Sequence, residues 1–269
     1  MINLKIRGYL RGIYCEWHVS RLQAVEVYAR GRNKIMSINT IQHENTFKVM
    51  NLDRLTNCSL NQQNESKHGK LFPDSVRCII TGPSNCGKTN VLFNLLTHPN
   101  GLHFTNIYIF SKSLNQPKYQ LLEKILNEVS DVGYFKFSAS EELEEPCKAK
   151  PYSVFIFDDI STQNHKMVRD YFAMGRHSII DMVYIGQTYS KIPKQLIRDN
   201  VNLMIVFKQD DLNLKHIYND HVCSDMTFIK FKEICGKAWT DKYGFLVINK
   251  DQNFNDGRYR FGFDQYIKL

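Results

Sequence analysis

Cys78–Leu96 reads CIITGPSNCGKTNVLFNLL. An apolar run leads into a short Gly/Ser/Asn loop, then Gly-Lys-Thr, and then at once Val91, Leu92, Leu95 and Leu96 at helical spacing. Gly82–Thr89 therefore spells G-x-x-x-x-G-K-T between an expected strand and an expected helix. Gly82 and Gly87 are expected to take backbone conformations closed to other residues and to bring N–H groups close to an anion. The positive end of the following helix adds to that attraction. Gly82, Pro83, Ser84, Asn85, Cys86, Gly87, Lys88 and Thr89 are read together as a nucleotide-binding loop. Lys88 would set a point charge on the β- and γ-phosphates of ATP, and the Thr89 hydroxyl would complete a Mg²⁺ coordination sphere.

The pattern on either side of this loop predicts an α/β fold. Short apolar runs at about 76–81, 106–111, 133–137, 153–158, 182–187 and 202–208 alternate with amphipathic segments, as in a mainly parallel sheet covered by helices on both faces. Met167, Val168, Tyr171 and Phe172 share one face of the helix expected after the fourth run. YGFLVINK and RYRFGF flank the polar DQNFNDG, which predicts a C-terminal strand pair on the sheet edge.

Composition narrows the setting. Of 269 residues, 43% are hydrophobic, enough for a substantial core, and no run approaches the apolar length that spans a bilayer. The first residues carry a charge every few positions and lack the apolar region of a secretory signal. Seven scattered cysteines, one of them Cys86 in the phosphate loop, argue against a disulfide framework and for a reducing, intracellular compartment. The formal charge is +8, of which residues 1–40 supply +5. That balance is compatible with nucleic-acid contact, although a basic extension explains most of it. The expected organisation is a basic N-terminal extension over 1–50, a lead-in over 51–75 rich in Asn, Gln and Ser, and a phosphate-binding domain over 76–269.

YSVFIFDDIS places Val154–Phe157 ahead of Asp158 and Asp159. Four consecutive apolar residues mark a strand buried on both faces, and its C-terminal end is where open α/β sheets bind ligands. Asp158 is the expected Mg²⁺-associated carboxylate, and Asp159 the group that orients or deprotonates attacking water. GRHSIIDMVYIGQTYSKIPKQLIRDNVNLMIVF follows: a strand ending in Gln187, a short Pro-led helix, then another strand. A polar side chain at that strand end would reach the γ-phosphate beside Asp158. His216, His221, Cys223 and Cys235 lack the paired spacing of zinc ligands. The aromatic, basic C-terminal strands could stack bases, but sheet packing accounts for them more simply.

GPSNCGKT, FIFDD, GRH eleven residues before the glutamine of YIGQT, KQLIRDN and YGFLVI together resemble the FtsK–HerA superfamily of DNA-pumping ATPases. Within it the chain is most similar to the poxvirus-type genome-packaging ATPases of large DNA viruses and of Polinton (Maverick) elements. The resemblance covers roughly 70–269 and leaves residues 1–50 without a role. It implies ATP hydrolysis, with ATP and Mg²⁺ as cofactors. Double-stranded DNA would be the moved substrate, the assembly a homo-oligomeric ring (a hexamer), and capsid proteins would be partners in the host cytoplasm or nucleus. It implies Lys88 and Thr89 as loop cation and metal hydroxyl, Asp158 as metal-associated acid and Gln187 as sensor. Asp159 stands where many relatives have a catalytic Glu. Arg176 matches an arginine that relatives insert into a neighbour's site. Arg169, seven residues earlier, would share its helix face, so either arginine could fill that role. A nucleotide or nucleoside kinase, a DNA helicase and a non-catalytic capsid component are the competing readings.

Overall fold

Successive strand residues face opposite sides of a sheet, and in this chain both sides are apolar. The computed structural model describes residues 67–128, 132–138, 141, 145–160, 165–195 and 197–268. The expected basic extension over 1–50 and the lead-in as far as residue 66 lie outside them. In chain order the strands are β1 (Arg77–Thr81), β2 (Asn106–Ser111), β3 (Gly133–Ser138), β4 (Ser153–Asp158), β5 (Ile180–Gly186), β6 (Leu203–Phe207), β7 (Phe245–Asn249), β8 (Tyr259–Phe261) and β9 (Gln265–Tyr266). The helices are α1 (Lys88–Thr97), α2 (Pro117–Asn127), α3 (His165–Met174), α4 (Asp211–His221) and α5 (Phe228–Ala238).

Among the described residues one sheet runs β3-β2-β4-β5-β1-β6-β7-β8-β9. The strands from β3 to β6 are parallel, and β7, β8 and β9 add antiparallel to the β6 side. Ile107, Ile109, Val154 and Ile156 point to one face, where Val91, Leu92, Leu95 and Leu96 of α1 and Tyr119, Leu122 and Leu126 of α2 cover them. Phe110, Phe155 and Phe157 point to the other, against Val168, Tyr171 and Phe172 of α3, with Leu214, Ile217 and Phe231 of α4 and α5 beside them. Each such fully buried side chain contributes about 1.5–3 kcal/mol. On the second face the rings stack across strands: Tyr108 lies 4.4 Å from Phe155 and 4.7 Å from Phe135, and Phe155 lies 4.4 Å from Tyr171.

The lead-in residues that are described are pinned to the sheet. Buried Asp181 accepts from Lys67 Nζ at 2.6 Å and from Val76 N at 2.8 Å, and Arg260 donates to Leu71 O at 2.8 Å. Two local expectations are corrected. The segment after β5 is not a Pro-led α-helix: 3₁₀ turns occupy Tyr189–Lys191 and Arg198–Asn200. Between them Ile197 N donates to Pro193 O at 3.1 Å and Asp199 N to Lys194 O at 3.1 Å, turn bonds that lead into the second 3₁₀ turn. Helix α3 stops at Met174, and Arg176 sits in a separate 3₁₀ turn, Gly175–Ser178. Arg169 and Arg176 therefore do not share a helix face; the tighter turn rotates the chain out of α register.

Candidate active site

The end of β1 opens into the phosphate loop, and two residues there turn left-handed: Asn85 at φ 61° and Gly87 at φ 111°. Gly87 meets the expectation of a conformation that favours glycine. Gly82 does not have a positive φ; it is glycine because a Cβ would lie 2.5 Å from Phe207 Cβ and 2.8 Å from Cys86 Sγ. Its N–H donates to Gly186 O at 3.2 Å, which ties the loop to β5. Lys88 Nζ donates to the carbonyls of Gly82 and Pro83, each at 2.7 Å, so the loop itself orients the ammonium.

On β4, Asp158 is partly buried. Its Oδ2 accepts from Tyr119 O–H at 2.6 Å and from Ser111 Oγ at 3.4 Å. Burial pushes the Asp158 carboxyl above the usual carboxylate range, and the neighbouring Asp159 adds to this; the Tyr119 hydrogen bond and Lys88 oppose it. Asp159 is itself left-handed, at φ 50°, and exposed. That turn separates the two acids: Asp158 is held by its neighbours and Asp159 faces solvent.

Strand order decides what meets. β5 lies between β1 and β4, so its C-terminal end sits between the phosphate loop and the acidic pair. Gln187 follows it directly. One cavity of about 140 Å³ is lined by Ser84, Asn85, Gly87, Lys88 and Thr89 from the loop, by Asp158 and Asp159, and by Gln187. Gly82, Pro83 and Cys86 do not line it; the Gly82 and Pro83 carbonyls instead hold Lys88. Ser113, Gln116 and Lys118 do line it, from the β2–α2 connection. Sequence reading missed that wall and Tyr119; the only linear signal is a polar SKSLNQPK segment at a strand end.

Arg176 is elsewhere. It precedes β5, and that strand's seven residues, at about 3.3 Å each, put roughly 20 Å between it and Gln187. Exposed, it lines a cavity of about 370 Å³ at the opposite strand ends, with Arg77, Asp199, Lys250 and Asp251. Arg169 is exposed on α3 and lines neither cavity.

A polar chain that includes buried His221 and Tyr189 starts from Lys250 of that cavity. Lys250 Nζ lies 3.5 Å from His221 Nδ1, His221 Nε2 lies 2.7 Å from the Tyr189 hydroxyl oxygen, and Tyr189 O–H donates to Asp220 at 3.0 Å. Arg198 and Lys194 also bind Asp220. Burial, with Lys250 beside it, pulls the His221 pKa down to about 3. Cys235 is buried in the core.

A strand–loop–helix phosphate cradle, an acidic strand end and a polar strand end between them, on a mainly parallel sheet, define the P-loop NTPase fold. The chain belongs to the poxvirus A32 protein family, whose model matches residues 63–268. Similar solved structures include the genome packaging NTPase B204 from Sulfolobus turreted icosahedral virus 2. Its complex with sulfate is 13% identical, with a TM-score of 0.45, and the match covers 70% of this chain and 95% of that one. For its complex with AMPPCP the values are 14%, 0.43, 66% and 93%. Among curated proteins none matches. No helix among the described residues is long and apolar enough to cross a membrane.

Proposed function

We propose that this chain is an ATPase that drives double-stranded DNA into a viral capsid, working as a homo-oligomeric ring. The observation that carries the reading is the convergence of Lys88, Asp158, Asp159 and Gln187 on one cavity from three separate strand ends. Membership of the poxvirus A32 protein family supports the viral setting. The resemblance of GPSNCGKT, FIFDD and YIGQT to DNA-pumping ATPases supports the DNA substrate.

In this reading Lys88 exchanges its two loop carbonyls for the β- and γ-phosphates, where negative charge accumulates during transfer. Backbone N–H groups around Asn85 and Gly87 face the same phosphates from the start of α1. Exposed Asp159 orients or deprotonates the attacking water, and Gln187 contacts the γ-phosphate between loop and acids. Thr89 and Asp158 supply hard oxygen donors of the kind Mg²⁺ takes, and Tyr119 and Ser111 engage only Oδ2 of Asp158, which itself lines the cavity. Mg²⁺ there would neutralise charge on the β- and γ-phosphates. Arg176, roughly 20 Å from its own cavity, serves a neighbouring subunit's nucleotide.

The test is ATP turnover against duplex DNA concentration, with assembly state followed by light scattering. Stimulation by intact duplex, confined to assembled rings, is expected. A dilute monomer turning over at full rate regardless of DNA, and passing phosphate to a nucleoside acceptor, would replace this reading with a kinase.

A further inference from the structure

We infer that Lys118 is a second phosphate-binding cation of the same site, directed at the γ-phosphate from the wall opposite Lys88; the inference rests on the ATPase reading above. Lys118 lines the cavity that holds Lys88, Asp158, Asp159 and Gln187. Its position is set independently by the next residue. Tyr119 is buried and its hydroxyl donates to Asp158 Oδ2 at 2.6 Å, so the first turn of α2 is bolted to the acidic strand end. Tyr119 N and Gln120 N both donate to Gln116 O, which closes that turn beneath the cavity.

Lys118 is exposed in a first turn that lacks both an acid and a side-chain cap. Cations are unfavourable at a helix N-terminus, where the backbone dipole is already positive. The first turn of α2 nevertheless carries Lys118, contains no acidic residue, and its N-cap Gln116 makes no side-chain capping bond. Among the described residues Lys118 has no hydrogen-bond or ion-pair partner, which leaves its ammonium free to meet an anion in the cavity it lines. α1 has the same arrangement on the facing wall: Lys88 in its first turn, no acid there, and no side-chain cap. Two uncapped helix starts, each with a lysine and no carboxylate, thus border one small cavity. An anion between them would complement both dipoles and both ammonium groups. The phosphate chain of a nucleoside triphosphate is such an anion. Lys88 belongs to the loop that wraps the inner phosphates, whereas Lys118 stands on the side of Asp158, where the terminal phosphate must lie for water to reach it.

The experiment uses the full chain with Lys118→Met, Lys118→Arg and Lys88→Met, and measures binding of β,γ-imido-ATP and ADP by calorimetry alongside ATP turnover. Lys118→Met should weaken the triphosphate analogue about tenfold, leave ADP within about twofold, and lower kcat on the order of ten- to a hundredfold. Lys118→Arg, which keeps the charge, should restore most of both. Equal weakening of the two nucleotides, unchanged binding of both, or wild-type turnover in Lys118→Met would overturn the inference. Lys88→Met separates the two levels of the reading. If it is inactive while Lys118→Met is normal, only the Lys118 assignment falls. If Lys88→Met itself turns over ATP normally, the cavity is not the active site and both readings fall.

Discussion

The two ends of the sheet are built from similar materials and arranged for different work. Four non-glycine residues among those described have positive φ, and they divide evenly: Asn85 and Asp159 at the phosphate end, Tyr152 and Ile179 at the other. Each such residue costs on the order of 1–3 kcal/mol and persists only where surrounding structure enforces it. At the phosphate end the strain turns backbone and an acid into a small cavity. At the opposite end Ile179 caps the turn that presents Arg176, its N–H donating to Arg176 O at 3.3 Å. One end gathers Lys88, Thr89, Asp158, Asp159 and Gln187 around one cavity. The other holds Arg176 in a charged cavity with Arg77, Asp199, Lys250 and Asp251. In the proposed ring, the phosphate end of one copy would be completed by Arg176 of another.

The strongest way to break this comparison is Arg176→Ala. If Arg176 serves a neighbour, turnover should fall by about 10³–10⁵ while binding of an ATP analogue is unchanged. Mixing that variant with Lys88→Ala should recover part of the activity, since one subunit then lends Arg176 to a neighbour whose Lys88 is intact. No recovery in co-assembled mixtures would confine each site to one chain. Lys88→Ala alone should reduce turnover on the order of a thousandfold with an unchanged circular dichroism spectrum; near-normal turnover would remove the phosphate end from the chemistry.

The acidic pair sharpens the picture within one end. Asp159→Asn should keep nucleotide affinity and lose about a hundredfold in turnover. Asp158→Asn should instead weaken Mg²⁺-dependent nucleotide binding, and the reverse pattern would exchange their roles. Because burial raises the folded-state pKa of Asp158, its ionised form opposes folding above the unfolded carboxylate range. Asp158→Asn should therefore raise Tm, by about 2–4 °C if the relief is near 1 kcal/mol. A lower Tm would contradict the burial argument.

A stability test independent of turnover concerns the polar chain around His221. His221 titrates near 3 when folded against 6.5 in its ordinary state, so its contribution to stability is full above 6.5 and is lost as pH falls toward 3. The slope reaches about 1.4 kcal/mol per pH unit inside that window. Urea midpoints at pH 7 and pH 5 should differ more for the wild type than for His221→Gln; identical differences would show that His221 is not held neutral.

The phosphate loop, the acidic strand end and six of the strands were legible because each is a local pattern: an apolar run, a glycine spacing, a pair of acids. β5 was placed within two residues, and Gln187 with it. What lay out of reach depends on contacts between distant residues. Gly82 is glycine on account of Phe207, and Asp158 is held by Tyr119 of a helix between β2 and β3. The shared face expected of Arg169 and Arg176 failed because Gly175 starts a tighter turn, packed with its Cα so close to Met182 that a Cβ would lie 2.8 Å from the sulfur. The cavity wall carrying Ser113, Gln116 and Lys118 has no motif at all; its role follows from β2 lying next to β4.

Trp239 closes α5 and donates its indole N–H to Val206 O at 3.0 Å. The next residue, Phe207, is the one whose ring flanks Gly87 and whose Cβ abuts Gly82. The only other tryptophan in the sequence is Trp17. A chain carrying Trp17→Phe would thus have a single intrinsic fluorophore wired, through one backbone carbonyl and one phenylalanine, to the phosphate loop. Its emission would report nucleotide arrival and departure in real time, with no dye attached and no residue of the cavity altered.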